Sequence, residues 1–368
     1  MKTYDCDAVV VGAGPGGCMA AKHAALGGLD VLLIEKKAEI GAPLRCAEAV
    51  PKEWLDKVGI IPDPKWICAE VDGLIMISPS GHRFKLDQSI GSSGIGYILE
   101  RHLFDKALAE QAAGAGVRIM MRTGCTGVIR KNGGLAGIRA RSMGENIEIN
   151  AKCIVAADGF ESQVARWAGV DTTLPEEEIG TCIQYRMANV NVDQRFCEFN
   201  MGSAAPGGYI WIFPKGGGSA NVGIGMQASR CGKSADPKEH LDRYVAKDPR
   251  LRNGCVLEIT AGGVSTCPGA AETVTDNLIA VGDAARVIDP ATGGGIAYAC
   301  VTGMYAGKVL AECAADGDFS KDRLMRYERM WRSDIGDRLY KNWLTKETLY
   351  SLEDGAMDDL VISMNLLE

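Results

Sequence analysis

YDCDAVVVGAGPGGCMAAKHAALGGLDVLLIEK, residues 4–36, is the stretch that decides the fold. It reads as strand, glycine turn, helix, strand. Asp7 to Val11 form the first apolar run, and the turn after it carries Gly12, Gly14 and Gly17 in G-x-G-x-x-G spacing, with Gly16 beside them. An alanine-rich helix follows, then a second apolar run ending in Glu35. Each glycine has a physical task. Gly12 makes the tight turn, Gly14 lets a pyrophosphate approach the backbone, and Gly17 lets helix pack on strand. An anion at the start of that helix meets free N–H groups and the positive end of the helix dipole. Glu35 follows the glycines at the ~20-residue spacing of an acid that accepts hydrogen bonds from a ribose diol. The stretch predicts a dinucleotide site and does not by itself choose between NAD and FAD.

At 368 residues the chain is long enough for two domains. Forty basic against 47 acidic residues, net −7, argue against nucleic acid as a main partner. The first strand begins so early that no secretory leader is expected before it. No apolar run reaches the ~18 residues of a membrane span. Thirteen cysteines occur without a single C-x-x-C, which excludes the common zinc and redox-pair spacings. They are expected to be reduced, mostly buried thiols in a cytosol, and no metal is expected.

Along the chain, EIGAPLRCAEAV (39–50) is a Gly/Pro turn entering a short helical stretch. Residues 66–90 alternate as strands with turns at Asp72-Gly73 and Ser80-Gly81. Residues 96–117 form an amphipathic helix with a glycine stop, and 118–156 three short strands. TCIQYRMANV, FCEFNMG, YIWIFPKG and ANVGIGM, between 181 and 226, return to strands. Residues 234–251 form a helix with Pro237 near its start, and 277–314 are again strand, loop and long helix. The glycines of KGGGSANVGIGM precede strand-like alternation rather than a helix, so no second dinucleotide site is predicted. The α/β pattern thus fades after residue 170 and returns at 277. It predicts a discontinuous nucleotide domain (1–65, 94–165 and 270–315), a β-rich substrate domain (66–93 and 166–269) and a C-terminal helical segment (316–368).

Tyr209, Trp211 and Phe213 recur at period two and share one sheet face, either as an ordinary aromatic core or as an apolar substrate wall. Lys321 to Lys346 holds eight basic residues against four acids. Leu324, Tyr327, Trp331, Ile335 and Leu339 recur there at helical spacing, so one face docks on the body. The basic residues form either a solvated helix face or a patch for anionic headgroups.

Four motifs stand in order: the glycine loop with Glu35, Arg101 opening a helix, DGFESQVAR from Asp158, and VGDAARVIDPATGGGIAYA from Val281. Together they resemble flavoproteins of glutathione-reductase type, in the branch shared by aromatic hydroxylases and geranylgeranyl reductases. GAPLRCAEAV from Gly41 and APGGYIWIFPKG from Ala205 resemble segments of archaeal geranylgeranyl reductases, and the likeness extends over essentially the whole chain. It implies an α/β (α+β) fold: an FAD-binding Rossmann-like domain, an inserted antiparallel substrate sheet and a helical C-terminus. By resemblance, Gly12, Gly14, Gly16, Gly17 and Glu35 hold the ADP half of FAD. Arg101 contacts the pyrophosphate or ribityl region, and Cys125 lies near the adenine. Asp283 binds ribityl oxygens, and Gly295 and Ile296 approach the flavin. Asp158-Gly159 is structural or shared with the nucleotide loop. Cys46, Ala47 and Ala49 belong to a loop over the flavin, the alanines standing where glycines are usual.

The implied reaction saturates isolated C=C bonds of geranylgeranyl chains in archaeal membrane ether lipids. Reduced FAD delivers hydride from N5, and Cys46 is the candidate proton donor. Arg45 beside it would lower the thiol's pKa, and burial would raise it. Tyr209, Trp211 and Phe213 would line the prenyl site. A transient donor, whether NAD(P)H, a deazaflavin or ferredoxin, would recharge the flavin. The expected location is cytoplasmic, peripheral at the inner face of the cell membrane. The chain ends at Glu368, earlier than the family's usual C-terminal helices, which bears on lipid access. Three alternatives stay open: an aromatic monooxygenase using NAD(P)H and oxygen, a reductase of chlorophyll or quinone side chains, and a flavin electron carrier or lipid-binding module without turnover.

Overall fold

Ala8–Val11, Val31–Ile34 and Cys153–Ala156 are apolar and buried at every position, with no polar alternation. Strands covered on both faces belong in a parallel sheet between helical layers. The computed structural model describes residues 2–87, 96–230 and 236–366. Contacts divide the chain into two compact units. One comprises Met1–Pro43, His102–Thr173 and Cys267–Trp343; the other comprises Leu44–Arg101, Leu174–Thr266 and Leu344–Glu368.

The first unit is built on an eight-stranded sheet. Five strands run parallel in the order Leu278–Ala280, Glu145–Ala156, Lys2–Val11, Val31–Ile34 and Arg118–Met120. Thr123–Lys131 and Gly134–Ser142 extend Glu145–Ala156 as an antiparallel meander. The helix Pro15–Leu26 packs on the long helix Ile296–Asp316 through small residues. A Cβ on Gly303 would overlap the carbonyl of Gly16, and one on Gly307 would lie 2.6 Å from the carbonyl oxygen of Ala20. Only glycine allows backbones this close.

The second unit holds a seven-stranded sheet in the order Cys255–Ser265, Ile179–Ala188, Ser219–Gln227, Tyr209–Gly216, Phe196–Met201, Gly73–Ile77 and Arg83–Leu86. All its pairs are antiparallel except Gly73–Ile77 with Phe196–Met201. A second sheet of three short strands joins Ala49–Pro51, Gly96–Leu99 and Ile67–Val71. The α/β class and the antiparallel sheet expected from the sequence are both present.

Several local expectations change. Gly96–Leu99 is a strand rather than the first turn of a helix, which starts at Arg101 and ends at Gly114. Its apolar residues pair with two strands, and that pairing outweighs the helical spacing. Asp72-Gly73 is not a hairpin turn; there the chain leaves the small sheet for the large one. Residues 118–156 hold four strands, not three. After GAPLRCAEAV the chain makes the strand Ala49–Pro51 before its short helix, Lys52–Lys57. Residues 88–93 of the expected substrate domain and Ser234-Ala235 of the expected helix lie outside the described residues; that helix runs Pro237–Lys247.

The division also differs from the sequence-based one. Residues 44–65 fall in the second unit, because the strand Ala49–Pro51 pairs within it. The C-terminal segment is shared between the units. Leu324, Tyr327, Trp331, Ile335 and Leu339 are all buried, Tyr327 donating to the Ala280 carbonyl and Trp331 Nε1 to Thr273, within the first unit. Within the second unit, Ser78 and Ser80 donate to Asp358, and Ser203 donates to Asp354.

Lys346 ties the C-terminal segment down. Its side chain is fully buried, and Nζ donates to Glu178 Oε2 at 2.9 Å and to the Thr266 carbonyl at 3.0 Å. Lys346→Met leaves a largely buried carboxylate without its cation and should cost about 3 kcal/mol, read as a lowered urea midpoint. An unchanged midpoint would show that the pair contributes nothing.

Candidate functional site

In the first unit the glycines divide the labour as their spacing implies, with one exception. Gly12 has φ +108°, and a Cβ there would overlap the Ala157 carbonyl. A Cβ on Gly17 would overlap Gly12's own carbonyl. Gly14 is the contrary case: nothing lies within 4 Å of where its Cβ would be. The helix that starts at Pro15 has no side-chain cap, so the space over Gly14 sits against an uncapped helix start, suited to an anion. Gly16 is the exception, because it faces the long helix: its Cβ would be 3.2 Å from the Ala299 carbonyl oxygen. Its missing side chain, like those of Gly12 and Gly17, makes room for neighbouring backbone.

Glu35 is buried and held by the backbone. Oε2 accepts from Ala13 N and Oε1 from Lys37 N, both at 2.9 Å. Each oxygen keeps a lone pair for a diol. Asp158 lies beside the same turn; its Oδ2 accepts from Val164 N, while its Oδ1 is buried without a partner among the described residues. Burial pushes its carboxyl up, partly offset by backbone N–H groups. Cys125 lies on the meander strand Thr123–Lys131; burial pushes its thiol up to about 11, and the Asp158 charge adds to the rise. Asp283 and Gly295 come together, a Cβ on Gly295 reaching 3.0 Å from Asp283 Oδ1, and Ile296 opens the long helix. Open space over Gly14, an acid facing the loop and an orphaned buried oxygen beside it fit the ADP half of FAD.

The sequence reading missed Arg286. It sits at φ +60°, buried, and donates to the carbonyls of Thr172, Phe160 and Asp283. It thereby ties the DGFESQVAR loop to the VGDAARV loop.

In the second unit the chemistry gathers around residues 46–48. Cys46 keeps some exposure, yet burial raises its thiol pKa; the Arg101 guanidinium and the Glu48 N–H oppose that rise. The Glu48 N–H reaches Cys46 Sγ at 3.2 Å. The cation that acts on the thiol is thus Arg101 and not the adjacent Arg45, whose exposed side chain extends over Gly262. Glu48 is 1% exposed, with φ +76°. Its Oε1 accepts from Arg101 N at 2.9 Å, and its Oε2 from Lys215 Nζ at 2.6 Å and Asn221 Nδ2 at 2.8 Å. Lys215, also buried, lies 3.2 Å from Glu100, which pairs with Arg186 at 2.6 Å. Burial opposes ionisation of Glu100, but Arg186, Cys68 and Lys215 hold its carboxyl down at about 2.

The expected aromatic face exists. Tyr209, Trp211 and Phe213 cluster with Phe199, with ring centroids 5.1, 5.3 and 5.9 Å apart in the Phe199–Tyr209, Phe199–Phe213 and Tyr209–Trp211 pairs. Ala47 and Ala49 pack against this cluster. A Cβ on Gly223 would overlap the Trp211 indole, and one on Gly225 would lie 3.7 Å from it. The glycines that failed as a second nucleotide motif therefore seat a tryptophan. Lys215, Asn221 and Gln184 went unnoticed in the sequence. The one available signal was Cys182, Gln184 and Arg186, polar at alternate positions of a strand whose other face, Ile183, Tyr185 and Met187, is apolar.

Residues 178–264 match the family model of the geranylgeranyl reductase catalytic domain, and residues 10–59 that of an NAD(P)-binding Rossmann-like domain. Digeranylgeranylglycerophospholipid reductase 2 of Methanococcoides burtonii is 45% identical over 359 residues, 97% of this chain and 87% of that protein. This chain belongs to the geranylgeranyl reductase family. A digeranylgeranylglycerophospholipid reductase of Methanothrix thermoacetophila is also 45% identical, over 98% of this chain and 91% of its own length. The crystal structure of a geranylgeranyl bacteriochlorophyll reductase-like protein from Thermoplasma acidophilum superposes with a TM-score of 0.95 at 41% identity, covering 98% of this chain and 92% of that one. A flavin-dependent brominase at 18% identity and TM-score 0.77 shares the fold.

The geometry separates Gly14 from Gly17. Gly14→Ala should leave the melting temperature within about 2 °C and lower the FAD content of purified protein, because the added methyl enters only the nucleotide's space. Gly17→Ala should lower the melting temperature by several degrees, as overpacking costs ~1–3 kcal/mol. Equal FAD retention in Gly14→Ala and wild type would remove the pyrophosphate from that space.

Proposed function

We propose that this chain saturates isolated, trisubstituted C=C bonds of geranylgeranyl chains carried on membrane ether phospholipids, with FAD as cofactor and the Cys46 thiol as proton donor. The observation that carries the reading is a half-buried thiol, Cys46 Sγ, which the Glu48 N–H reaches at 3.2 Å and which the Arg101 guanidinium attends. An unconjugated alkene has no carbonyl to hold charge, so its reduction needs an acid as well as a hydride. Bound in the first unit and reduced, FAD supplies the hydride.

Gly12, Gly14, Gly16, Gly17 and Glu35 hold its ADP half, and Asp283, Gly295 and Ile296 attend its flavin half. Burial keeps Cys46 protonated at neutral pH. When the S–H bond breaks and a C–H bond forms, the thiolate left behind meets the Arg101 guanidinium and the Glu48 N–H. These groups favour the charged form and so act on the state that develops during transfer. Tyr209, Trp211, Phe213 and Phe199 offer the prenyl chain an apolar, water-excluding surface. A docking donor, whether NAD(P)H, a deazaflavin or ferredoxin, recharges the flavin between turnovers.

Contact with the membrane is peripheral. Among the described residues no helix is long and apolar enough to cross a membrane. The basic segment is less bare than its composition suggested. Lys321 pairs with Glu272, Arg323 with Asp316, Arg326 with Glu312 and Arg332 with Glu328, and Lys346 is buried. Capture of the prenyl chain, rather than attraction to anionic headgroups, therefore holds the protein at the surface. Flotation with vesicles containing the prenyl lipid should change little with salt or anionic lipid content. Steep loss of binding at high salt would restore the electrostatic patch.

Anaerobic incubation of dithionite-reduced protein with an unsaturated prenyl phospholipid should give products heavier in steps of two hydrogens. Cys46→Ala and Cys46→Ser should keep FAD and accept electrons from dithionite, yet saturate lipid at least ~100-fold more slowly. Wild-type activity should hold through neutral pH and fall as pH rises through the raised thiol pKa, where the donor proton is lost. A Cys46→Ala protein that saturates lipid at the wild-type rate moves the proton to another source. Turnover that requires oxygen and adds its mass identifies a monooxygenase instead.

A further inference from the structure

Cys46 is not held by its own side chain alone. Every carbonyl of residues 46–48 is taken by a donor from a strand of the second unit. Gln184 Nε2 donates to the Cys46 carbonyl at 3.0 Å, Asn221 Nδ2 to that of Ala47 at 3.2 Å, and Leu99 N to that of Glu48 at 2.9 Å. Gln184 has a second bond: its Oε1 accepts from the Trp211 indole Nε1 at 2.9 Å. Gln184 is 7% exposed and Trp211 likewise, so the bond between them is buried, and the bond to the Cys46 carbonyl is partly buried. Trp211 in turn is seated on Gly223.

We infer that Gln184 is a positioning residue for the proposed proton transfer: it spans from the Trp211 indole to the Cys46 backbone and fixes the thiol relative to the aromatic wall. The inference rests on the reading of Cys46 as the donor. A prenyl chain lying on that wall presents its double bond at a set depth, and the amide sets the thiol's reach to match. The two ends of a glutamine amide suit this task. Its oxygen can only accept and its nitrogen only donate, so Trp211 N–H and Cys46 C=O select one orientation. A loop tied only by its own turn would let the thiol wander, and misplacement by about 1 Å costs on the order of a hundredfold in rate. In the transfer itself the S–H bond breaks, the new C–H bond forms on the alkene, and the hydride comes from reduced FAD. Gln184 exchanges no proton.

The test is Gln184→Met in the FAD-loaded protein, which keeps the volume and loses both hydrogen bonds. Three measurements are made. The first is the kcat and KM of anaerobic saturation. The second is the configuration of deuterium at the protonated carbon when the reaction runs in D2O. The third is the pH dependence of iodoacetamide labelling of the Cys46 peptide, read by mass. The expected result is kcat lower by ten- to a hundredfold with KM within about twofold, mixed configuration at the deuterated carbon, and faster labelling of Cys46 with a shifted midpoint. FAD content should be retained, and the protein should stay folded at the assay temperature with its melting temperature lowered by a few degrees, because two polar groups lose their partners. Wild-type configuration and labelling overturn the inference, whatever the rate. So does a loss of rate that only follows loss of FAD or of folded protein at the assay temperature. If Gln184→Met does not fold, Gln184→Glu keeps the size and the acceptor for Trp211 Nε1, loses the donor to the Cys46 carbonyl, and is read by the same configuration and labelling changes. Cys46→Ala distinguishes the two readings: wild-type saturation by that variant sinks the donor role itself, whereas an inactive Cys46→Ala beside a wild-type Gln184→Met sinks only the positioning.

Discussion

The second unit depends on one buried carboxylate. Glu48 is almost fully enclosed and sits in a left-handed backbone conformation. An unpaired charge there would cost several kcal/mol, so the fold must supply partners. It supplies three from distant parts of the unit: the Lys215 ammonium, the Asn221 amide and the Arg101 backbone N–H. Meeting that demand brings together the end of the aromatic strand, the strand beside it and the start of a helix. Once Glu48 is fixed, its own N–H lies against the Cys46 sulfur. The strained φ and the buried ion pair are therefore the means by which a small thiol acquires a defined place.

How much of this was legible in the sequence follows from the range of the interactions. The glycine loop, its flanking strands and Glu35 are local, and each shows as spacing within a few turns of chain. The aromatic face was legible because period two is local as well. The network around Cys46 was not, since Gln184 and Asn221 lie far along the chain from the loop they hold. Sequence proximity even misled there. Arg45 is the nearest cation in the chain, but Arg101 is the nearest in effect. Gly96–Leu99 failed for a related reason: an apolar tetrapeptide ahead of a helix reads as its first turn until its strand partners are known. Cys255–Ser265 went unmarked because it is an edge strand with largely exposed positions, so no burial pattern announces it.

The basic C-terminal segment shows how composition can outrun geometry. Eight positive charges in a net acidic chain suggest a surface waiting for an anion. In the fold most of them have acidic partners, and one is a buried anchor. Exposed pairs of this kind contribute little to stability. Their effect is to neutralise a surface that would otherwise attract lipid headgroups or nucleic acid without selectivity.

The contact of Gly16 and Ala20 with Gly303 and Gly307 joins two parts of the chain 287 positions apart. During synthesis at ~5–20 residues per second, the first helix therefore waits on the order of half a minute for the surface it packs against. The dinucleotide loop emerges first but acquires its rigid support last. The second unit, whose strands lie between them in sequence, has by then emerged in large part. A nascent chain would thus complete its nucleotide-binding unit only after Gly307 has emerged, which leaves that unit exposed to chaperones and proteases through the synthesis of the second unit's sheets.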